Sequence, residues 1–412
     1  MSGFNVFRSV PKFAVSSLAA ALIAAFPAAH AAGPSYGHGH VIKTGDTKVH
    51  KSGRDYTYLE ADRGGKIVGW NVDVDDRPGT LVYAKRGGYI SLKNADIEAE
   101  NSRNDSRSSK QGPAVKASGS SFHQSSQIRL EDGSVRTHNQ KSPALQASDG
   151  GTIHVDGTKL RTSGKQSDVV QAVSGGQVTL RDADILSKGR EADGVYVAGR
   201  NSKVSVTGSD IETRGNGSNG VSVRDGGKAN IVRSDIETEG HGSDGVNVSG
   251  RKSVASITSS EISTDGYGSD GVSVSHDGRA DIARSRIRTD GQNAHGVNVS
   301  GGTATVTRSV IDTDGNNADG VNVSGDDSLA FIKSSTIKTD GHGSDGVNVS
   351  DDGKAVIVRS RIYTDGKHSD GVSVSRGGKA LVHETSITTL DDDSAGVNVS
   401  RGGEALVNES LI

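Results

Sequence analysis

The stretch Gly346-Val-Asn-Val-Ser-Asp-Asp-Gly-Lys-Ala-Val-Ile-Val-Arg-Ser-Arg-Ile-Tyr-Thr-Asp365 decides how the chain is read. Val347 and Val349 alternate with polar residues, and Asp351-Asp352-Gly353 then offers a turn. Ala355 and Ile357 alternate again, and Ile362 opens a third short run. The apolar period is 2 rather than 3.6, so these are strands. Strands this short, separated by turn residues, leave no space for a helix.

Working outward, the dipeptide Gly-Val recurs at Gly194, Gly220, Gly245, Gly271, Gly296, Gly320, Gly346, Gly371 and Gly396. The spacings are 26, 25, 26, 25, 24, 26, 25 and 25. Regularity of this kind marks a repeat architecture. Upstream, Val169-Val170 and Ala144-Leu145 keep the frame, and Ala114-Val115 lies 30 residues earlier, with an insertion around Asn101 to Gln111. Thr80-Leu81 and Tyr58-Leu59 read as the first copies, giving about 13 units of 24–26 residues between Tyr56 and Ile412. The inward set recurs as Val272, Val274, Ala280, Ile282 and Ile287, while the positions between vary freely, as in Asn230, Asp281 and Thr305.

Stacking equivalent strands roughly 4.8 Å apart makes a parallel β-solenoid, a rod on the order of 60 Å long. One unit buries five small aliphatic side chains, worth about 8–12 kcal/mol. Ordering about 25 residues costs on the order of 25–50 kcal/mol in backbone entropy. A lone unit therefore cannot fold, and stability has to come from contacts between units.

Composition agrees. Of 412 residues, 56 are Gly, 6 are Pro and none is Cys, with 32% hydrophobic and 4% aromatic residues. An ordinary domain has roughly 45–50% on a count that includes Gly; here Gly supplies an unusually large part of that share, and the supply of apolar side chains is too small for a single thick core. With 47 basic against 50 acidic residues, there is no electrostatic case for binding nucleic acid. The missing Cys exclude a disulfide scaffold, a Cys-held zinc and a thiol nucleophile. At the N-terminus, Arg8 and Lys12 precede an apolar run from Phe13 to Phe26, and Ala29-His30-Ala31 supplies small residues at −3 and −1. Residues 1–31 read as a secretory signal cleaved after Ala31. Residues 32–55 read as a flexible N-terminal segment or cap, including Gly37-His38-Gly39-His40, and 56–412 as the repeat domain. No transmembrane helix is expected in the mature chain.

The export signal, the absent Cys, the Gly-Val-x-Val-Ser turns and the Ser-x-Ile-x-Thr strands resemble the passenger domain of pertactin-like bacterial autotransporters. The resemblance spans about Tyr56 to Ile412. It implies a right-handed parallel β-helix carried through the periplasm to the outer surface of a Gram-negative cell, often as an adhesin, with a C-terminal β-barrel in the outer membrane. The sequence departs from that pattern in having no barrel-like strands with aromatic girdles. Ala405, Val407 and Ile412 align with Ala355, Ile357 and Ile362, so the chain is expected to end in mid-rung, as from a truncated gene.

Three surface patterns are candidates for chemistry. Asp340-Gly341-His342-Gly343-Ser344-Asp345-Gly346-Val347 is similar to one calcium-binding nonapeptide. Stacking aligns Asp244, Asp270, Asp319, Asp345 and Asp370, interrupted by Asn219, His295 and Ala395; a second column holds Asp265, Asp290, Asp314, Asp340 and Asp365. Calcium at Asp345 and Asp370 stands against plain turn-capping acids splayed into water, and the sequence favours the capping acids; no other cofactor is expected. The outward series Asn230, Ser256, Asp281, Thr305 gives way to Phe331, Val356, Leu381 and Leu406, either scattered exposed apolar residues or a contact stripe. A third column, Glu237, Ser263, Arg288, Asp312, Lys338, Tyr363, places Arg288, Asp312 and Lys338 for mutual neutralisation. The resemblance to surface adhesins further implies that the many outward Ser and Thr are open to O-glycosylation.

No catalytic motif is present. The leading expectation is an exported, non-enzymatic rod that presents a surface to a protein or glycan ligand. The alternative is a β-helical lyase or hydrolase acting on polysaccharide. An open last rung would also favour end-to-end self-association.

Overall fold

The computed structural model describes residues 39–52, 55–75, 79–99, 111–119, 125–391 and 393–412. The signal segment with its cleavage after Ala31, and the insertion from Asn101 up to residue 110, lie outside them.

Each repeat forms three strands around a flattened coil, as in Val347–Ser350, Lys354–Val358 and Arg361–Thr364. Every strand pairs in parallel with its equivalents one turn before and one turn after: Val323 with Val349 and Val349 with Val374, Ile332 with Ile357 and Ile357 with Val382. The result is an all-β, right-handed parallel β-helix of about 13 turns, with no helix among the described residues. No helix of those residues is long and apolar enough to cross a membrane.

Alternation does the sorting. In Lys354–Val358 the burial runs exposed, buried, intermediate, buried, intermediate. Val347, Val349, Ala355, Ile357 and Ile362 all lie inside. The same five positions repeat from turn to turn, so like side chains stack on like, which keeps the cross-section constant.

The Gly of Gly-Val is set by close approach. A Cβ on Gly271 would lie 2.2 Å from Ile287 Cγ2 and 2.6 Å from the Gly296 carbonyl oxygen. The inward isoleucine of the third strand thus occupies the volume a side chain would need. Upstream the equivalent position holds Val169, Ala144, Ala114 and Leu81, all buried. This corrects the first-copy assignment by one residue. Val82, not Leu81, pairs with Leu59 and Val115, so the copy begins Leu81-Val82 rather than Thr80-Leu81. Thr80 precedes Leu81 as a polar residue precedes Gly elsewhere, and a large aliphatic in the Gly position hid the frame.

Two antiparallel strands cover the upstream edge. Thr47–Ser52 pairs with Asp55–Ala61, and His40–Thr44 pairs with Lys66–Trp70. Within the segment read as flexible or capping, His40 therefore belongs to a strand, and its ring stacks on Trp70 at 5.3 Å. Beneath them Glu60 and Asp62 are buried among cations: Lys48 and Lys85 lie 3.0 and 3.1 Å from Glu60, and Arg86 bonds Asp62.

Candidate functional site

The aligned aspartates form a continuous hydrogen-bonded column, buried at Asp193, Asn219, Asp270 and Asp319 and half-buried at Asp168, Asp244, His295, Asp345 and Asp370, and it is longer than the sequence suggests. The backbone N–H of each column residue donates to the side chain one turn earlier. Asp193 donates to Asp168 Oδ1 (2.8 Å), Asn219 to Asp193 Oδ1 (2.7 Å), Asp244 to Asn219 Oδ1 (2.9 Å) and Asp270 to Asp244 Oδ1 (3.0 Å). His295 donates to Asp270 Oδ1 (2.9 Å), Asp319 to His295 Nδ1 (3.0 Å) and Asp345 to Asp319 Oδ1 (2.9 Å). Asp370 donates to Asp345 Oδ1 (2.7 Å), and Ala395 to Asp370 Oδ1 (2.8 Å). Asn219 and His295 are not interruptions, because each supplies the same acceptor. Asp168 and Asp193, upstream of the aligned set, belong to the column as well.

The second carboxylate oxygens are also occupied. Asn247 Nδ2 donates to Asp244 Oδ2 (2.7 Å), Asn298 to Asp270 Oδ2 (2.7 Å), Asn348 to Asp319 Oδ2 (3.1 Å) and Asn398 to Asp370 Oδ2 (2.6 Å). These are the Asn residues of Gly-Val-Asn-Val: Asn247 lies three positions after its Asp, whereas Asn298, Asn348 and Asn398 each reach the Asp one turn earlier. In the sequence they look like one more outward polar position, because a contact across turns appears only once register is known.

Burial pushes the carboxyls of Asp168, Asp193, Asp244, Asp270, Asp319 and Asp345 up. Repulsion from Asp168 and Asp319 on the preceding turns adds to this, and Asp193 and Asp345 are each raised to about 8. Burial likewise pushes the His295 imidazole down, against the attraction of Asp319. With Nδ1 accepting an N–H, His295 is neutral and substitutes for an amide. The picture of acids splayed into water is therefore corrected: they are turned into the column, at least half-buried, and bonded to the next turn. Their oxygens face N–H donors, whereas calcium needs a shell of oxygen acceptors. At Asp345 and Asp370 the donor set does not fit that ion.

Serine builds two more columns. Ser218 N–H donates to Ser243 Oγ, Ser243 to Ser269 Oγ and Ser344 to Ser369 Oγ, each at 3.0 Å. The hydroxyls in turn donate to glycine carbonyls one turn back, as Ser344 does to Gly315 at 2.9 Å. At the corner before the third strand, Ser234, Ser260, Ser285, Ser309, Ser335 and Ser360 repeat the arrangement. Thr238, Thr264, Thr339 and Thr364 each donate to the carbonyl five residues on. All these hydroxyls belong to buried residues, so they are not among the outward Ser and Thr to which the glycosylation expectation applies.

On the outside, Asp265, Asp290, Asp314, Asp340 and Asp365 are exposed. Arg288 bonds Asp290 at 2.9 Å and reaches Asp314 at 3.1 Å, Asp312 takes Arg286 at 3.0 Å, and Lys338 takes Asp340 at 2.5 Å. The charges neutralise as expected, but the partners are diagonal or two residues along the strand rather than directly stacked. Side-chain length explains this: an Arg two residues from an acid on the same face reaches it without bending.

Phe331, Val356, Leu381 and Leu406 stand in one register column on the outer face of the second-strand sheet. Phe331, Leu381 and Leu406 are 41%, 36% and 65% exposed, values that place them among the most open large apolar residues of the described chain. Beside them runs an open recess of about 420 Å³, floored by Ala355, Ala380 and Ala405 and walled by Lys354, Lys379 and Glu404. Nearby, His383, Glu384 and Glu409 bring ligand-type atoms within 4.8 Å of one another, though Arg359 already holds Glu384. Sequence reasoning misses this trio, since its members sit on two different turns.

No protein-family model and no curated protein matches the chain. Among solved structures it shares its fold with Vag8, an autotransporter passenger, in a complex with C1 inhibitor. The TM-score is 0.57 at 16% identity, covering 83% of this chain and 95% of that one. The A-module of the mannuronan C-5 epimerase AlgE4 from Azotobacter vinelandii gives a TM-score of 0.48 at 14% identity, over 78% of this chain and 91% of the other. At 16% identity the likeness to Vag8 is one of fold.

Proposed function

We propose that the chain is an exported rod of the autotransporter-passenger kind, whose work is to hold a protein or glycan ligand on its lateral surface, as an adhesin does. One observation carries this reading: from Leu145 to Val407 the three sheets run in unbroken parallel register, so the described surface in that span is a regular lattice of outward positions whose side chains vary from turn to turn. Most of the acids that repeat regularly are taken up by the interior column or by surface ion pairs, as at Asp319, Asp290, Asp314 and Asp340. Vag8 supports the mode of use, since it is a β-helix taken up in a complex with another protein. The ligand itself is a matter for experiment.

The test couples the purified chain to beads and measures saturable binding to panels of glycans and extracellular proteins, beside assays for new reducing or unsaturated ends on polyuronates and neutral polysaccharides. Saturable binding without turnover is expected. Turnover would replace the proposal with the polysaccharide-acting alternative. N-terminal sequencing of the exported product, expected to begin at Ala32, tests the export step.

A further inference from the structure

We infer that the outer face of the turns carrying Phe331, Val356, Leu381 and Leu406 docks an amphipathic α-helix of a partner protein, its apolar stripe bordered by carboxylates. The inference rests on the reading of the chain as an interaction rod, and it names the kind of partner one patch would take.

The patch begins abruptly. In the preceding turns the same outward column holds Asn230, Ser256, Asp281 and Thr305, each paired in register with the next, and Thr305 pairs with Phe331. Replacing four polar residues by Phe, Val, Leu and Leu exposes apolar surface that neither core nor register requires. Val358, on the adjacent outward column, widens it. Cations flank it: Lys354 and Lys379 across the recess, and Lys333 on the other side in register with Val358. Lys379 is paired with Glu404 at 2.9 Å, whereas Lys333 and Lys354 meet no carboxylate among the described residues.

Dimensions choose the occupant. Four turns by one five-residue strand cover on the order of 300 Å². A stable interface needs about 800 Å² from each partner, so the stripe is too small to pair two copies of this rod. A single segment suffices. The four side chains follow one another at about 4.8 Å, spanning about 14 Å along the rod. A strand laid along that line places same-face residues about 6.8 Å apart and loses step at once. A helix advances 5.4 Å per turn, so residues i, i+4, i+7 and i+11 stay within about 2 Å of the four side chains. Helix-in-groove recognition uses that spacing of anchors. Glu or Asp at the borders of the helix would meet Lys333 and Lys354, whose ammonium groups form charge-assisted hydrogen bonds with carboxylates.

The test uses three fluorescent peptides of about 15 residues and the full chain. The first carries Leu at i, i+4, i+7 and i+11 with Glu borders, the second has Lys borders, and the third scrambles the first. Anisotropy should show the Glu-bordered peptide binding at least about tenfold tighter than the other two, a gap of about 1.4 kcal/mol or more. Leu381→Lys should abolish that advantage. Lys354→Glu should reverse the preference between Glu and Lys borders, a change that a merely structural role would not produce. Both positions face outward, so unaltered circular dichroism and melting temperature check that the variants fold. Equal binding of all three peptides, or affinities unmoved by either variant, would overturn the inference. If bead-bound chain still captures its ligand in both variants while the peptides fail, the stripe is excluded and the interaction rod stands. If bead capture fails but the peptides discriminate as described, the docking face stands and the wider proposal falls.

Discussion

Between Leu59 and Leu160 the interior is filled by bulk: Leu59, Ile67, Leu81, Ile90, Leu92, Ile97, Ile128, Leu130, Leu145, Ile153 and Leu160 are among the largest fully buried side chains. From Gly194 onward the same cross-section is held by Val, Ala and Ile, with Gly at the corner, and the missing volume is matched by columns of Asp, Asn, Ser and Thr bonded from turn to turn. The first region also has its upstream edge covered by antiparallel strands. A solenoid can thus be held by filling its interior with large apolar groups or by a narrower apolar core whose turns are linked through buried polar groups. The second route depends on satisfying nearly all of these groups, because a buried unpaired donor or acceptor costs about 1–3 kcal/mol; the Thr313 hydroxyl is an exception, buried without a partner among the described residues.

The comparison can be broken most severely inside the narrow region. Ile357→Asp puts an unpaired charge in the core, and is expected to cost about 4 kcal/mol or more. Val356→Asp, one residue away and half exposed, is expected to cost less than about 1 kcal/mol. Denaturant titration of both variants measures the difference, and equal losses would refute the inward–outward assignment.

The corner position sharpens it next. Gly271→Ala meets Ile287 and the Gly296 carbonyl, and overpacking of this kind costs about 1–3 kcal/mol. The converse change Ala144→Gly removes one buried methyl from the bulky region and is expected to cost about 1 kcal/mol. A tolerated Gly271→Ala would mean that the narrow turns are more plastic than their spacing suggests.

Within the acid column, Asp319→Ala leaves the Asp345 N–H and the Asn348 amide without acceptors. The expected loss is about 2 kcal/mol. Asp319→Asn keeps an acceptor for the Asp345 N–H and relieves repulsion with Asp345, so its loss should be smaller. If the two substitutions cost the same, hydrogen bonding is not what the column contributes.

The smallest effect is on pH. Asp193 and Asp345 hold their protons more tightly folded, with values near 8 against an ordinary 3.8. The folded state therefore binds more protons between those limits, and stability falls as pH rises through that window. In the other direction, Arg86 holds Asp62, Lys93 holds Glu131 and Arg359 holds Glu384 below the ordinary carboxylate range. Their contribution is lost on acidification below about pH 4. The melting temperature is expected to rise by on the order of 3 °C from about pH 9 to about pH 5 and to drop again below about pH 4. Asp345→Asn should flatten the alkaline limb. A midpoint constant across the whole window would argue against proton retention in the column.

Much of this architecture is legible in the repeat. The spacing of Gly-Val identifies the turns, and alternation places Ala355, Ile357 and Ile362 inside. Periodicity separates restricted from tolerant positions, but it carries no direction for turn segments, where backbone dihedrals rather than the pleat aim the side chain. That is why Asp345 looks outward in the sequence and Ser344 carries no direction, although Ser344 is fully buried and Asp345 is bonded into the column; Thr339, at the end of a strand, is inward by alternation with Ile337. The frame also fails where a larger residue, Leu81, takes the glycine position. The apolar column from Phe331 to Leu406 is legible because it breaks a polar series. The trio at His383 is not, since adjacency across turns appears only once register is known.

The hydrogen bonds between turns, in the sheets and in the polar columns alike, run along the axis of the rod. Under tension applied at the two ends they would be opened one turn at a time, as a zip is, rather than sheared together as in strands pulled along their length. Each detached turn would release about 25 residues, up to about 85 Å of slack. Such a rod is stiff against bending loads that keep its turns stacked, yet it yields in even increments when stretched, lengthening many times over while the turns still stacked keep their form.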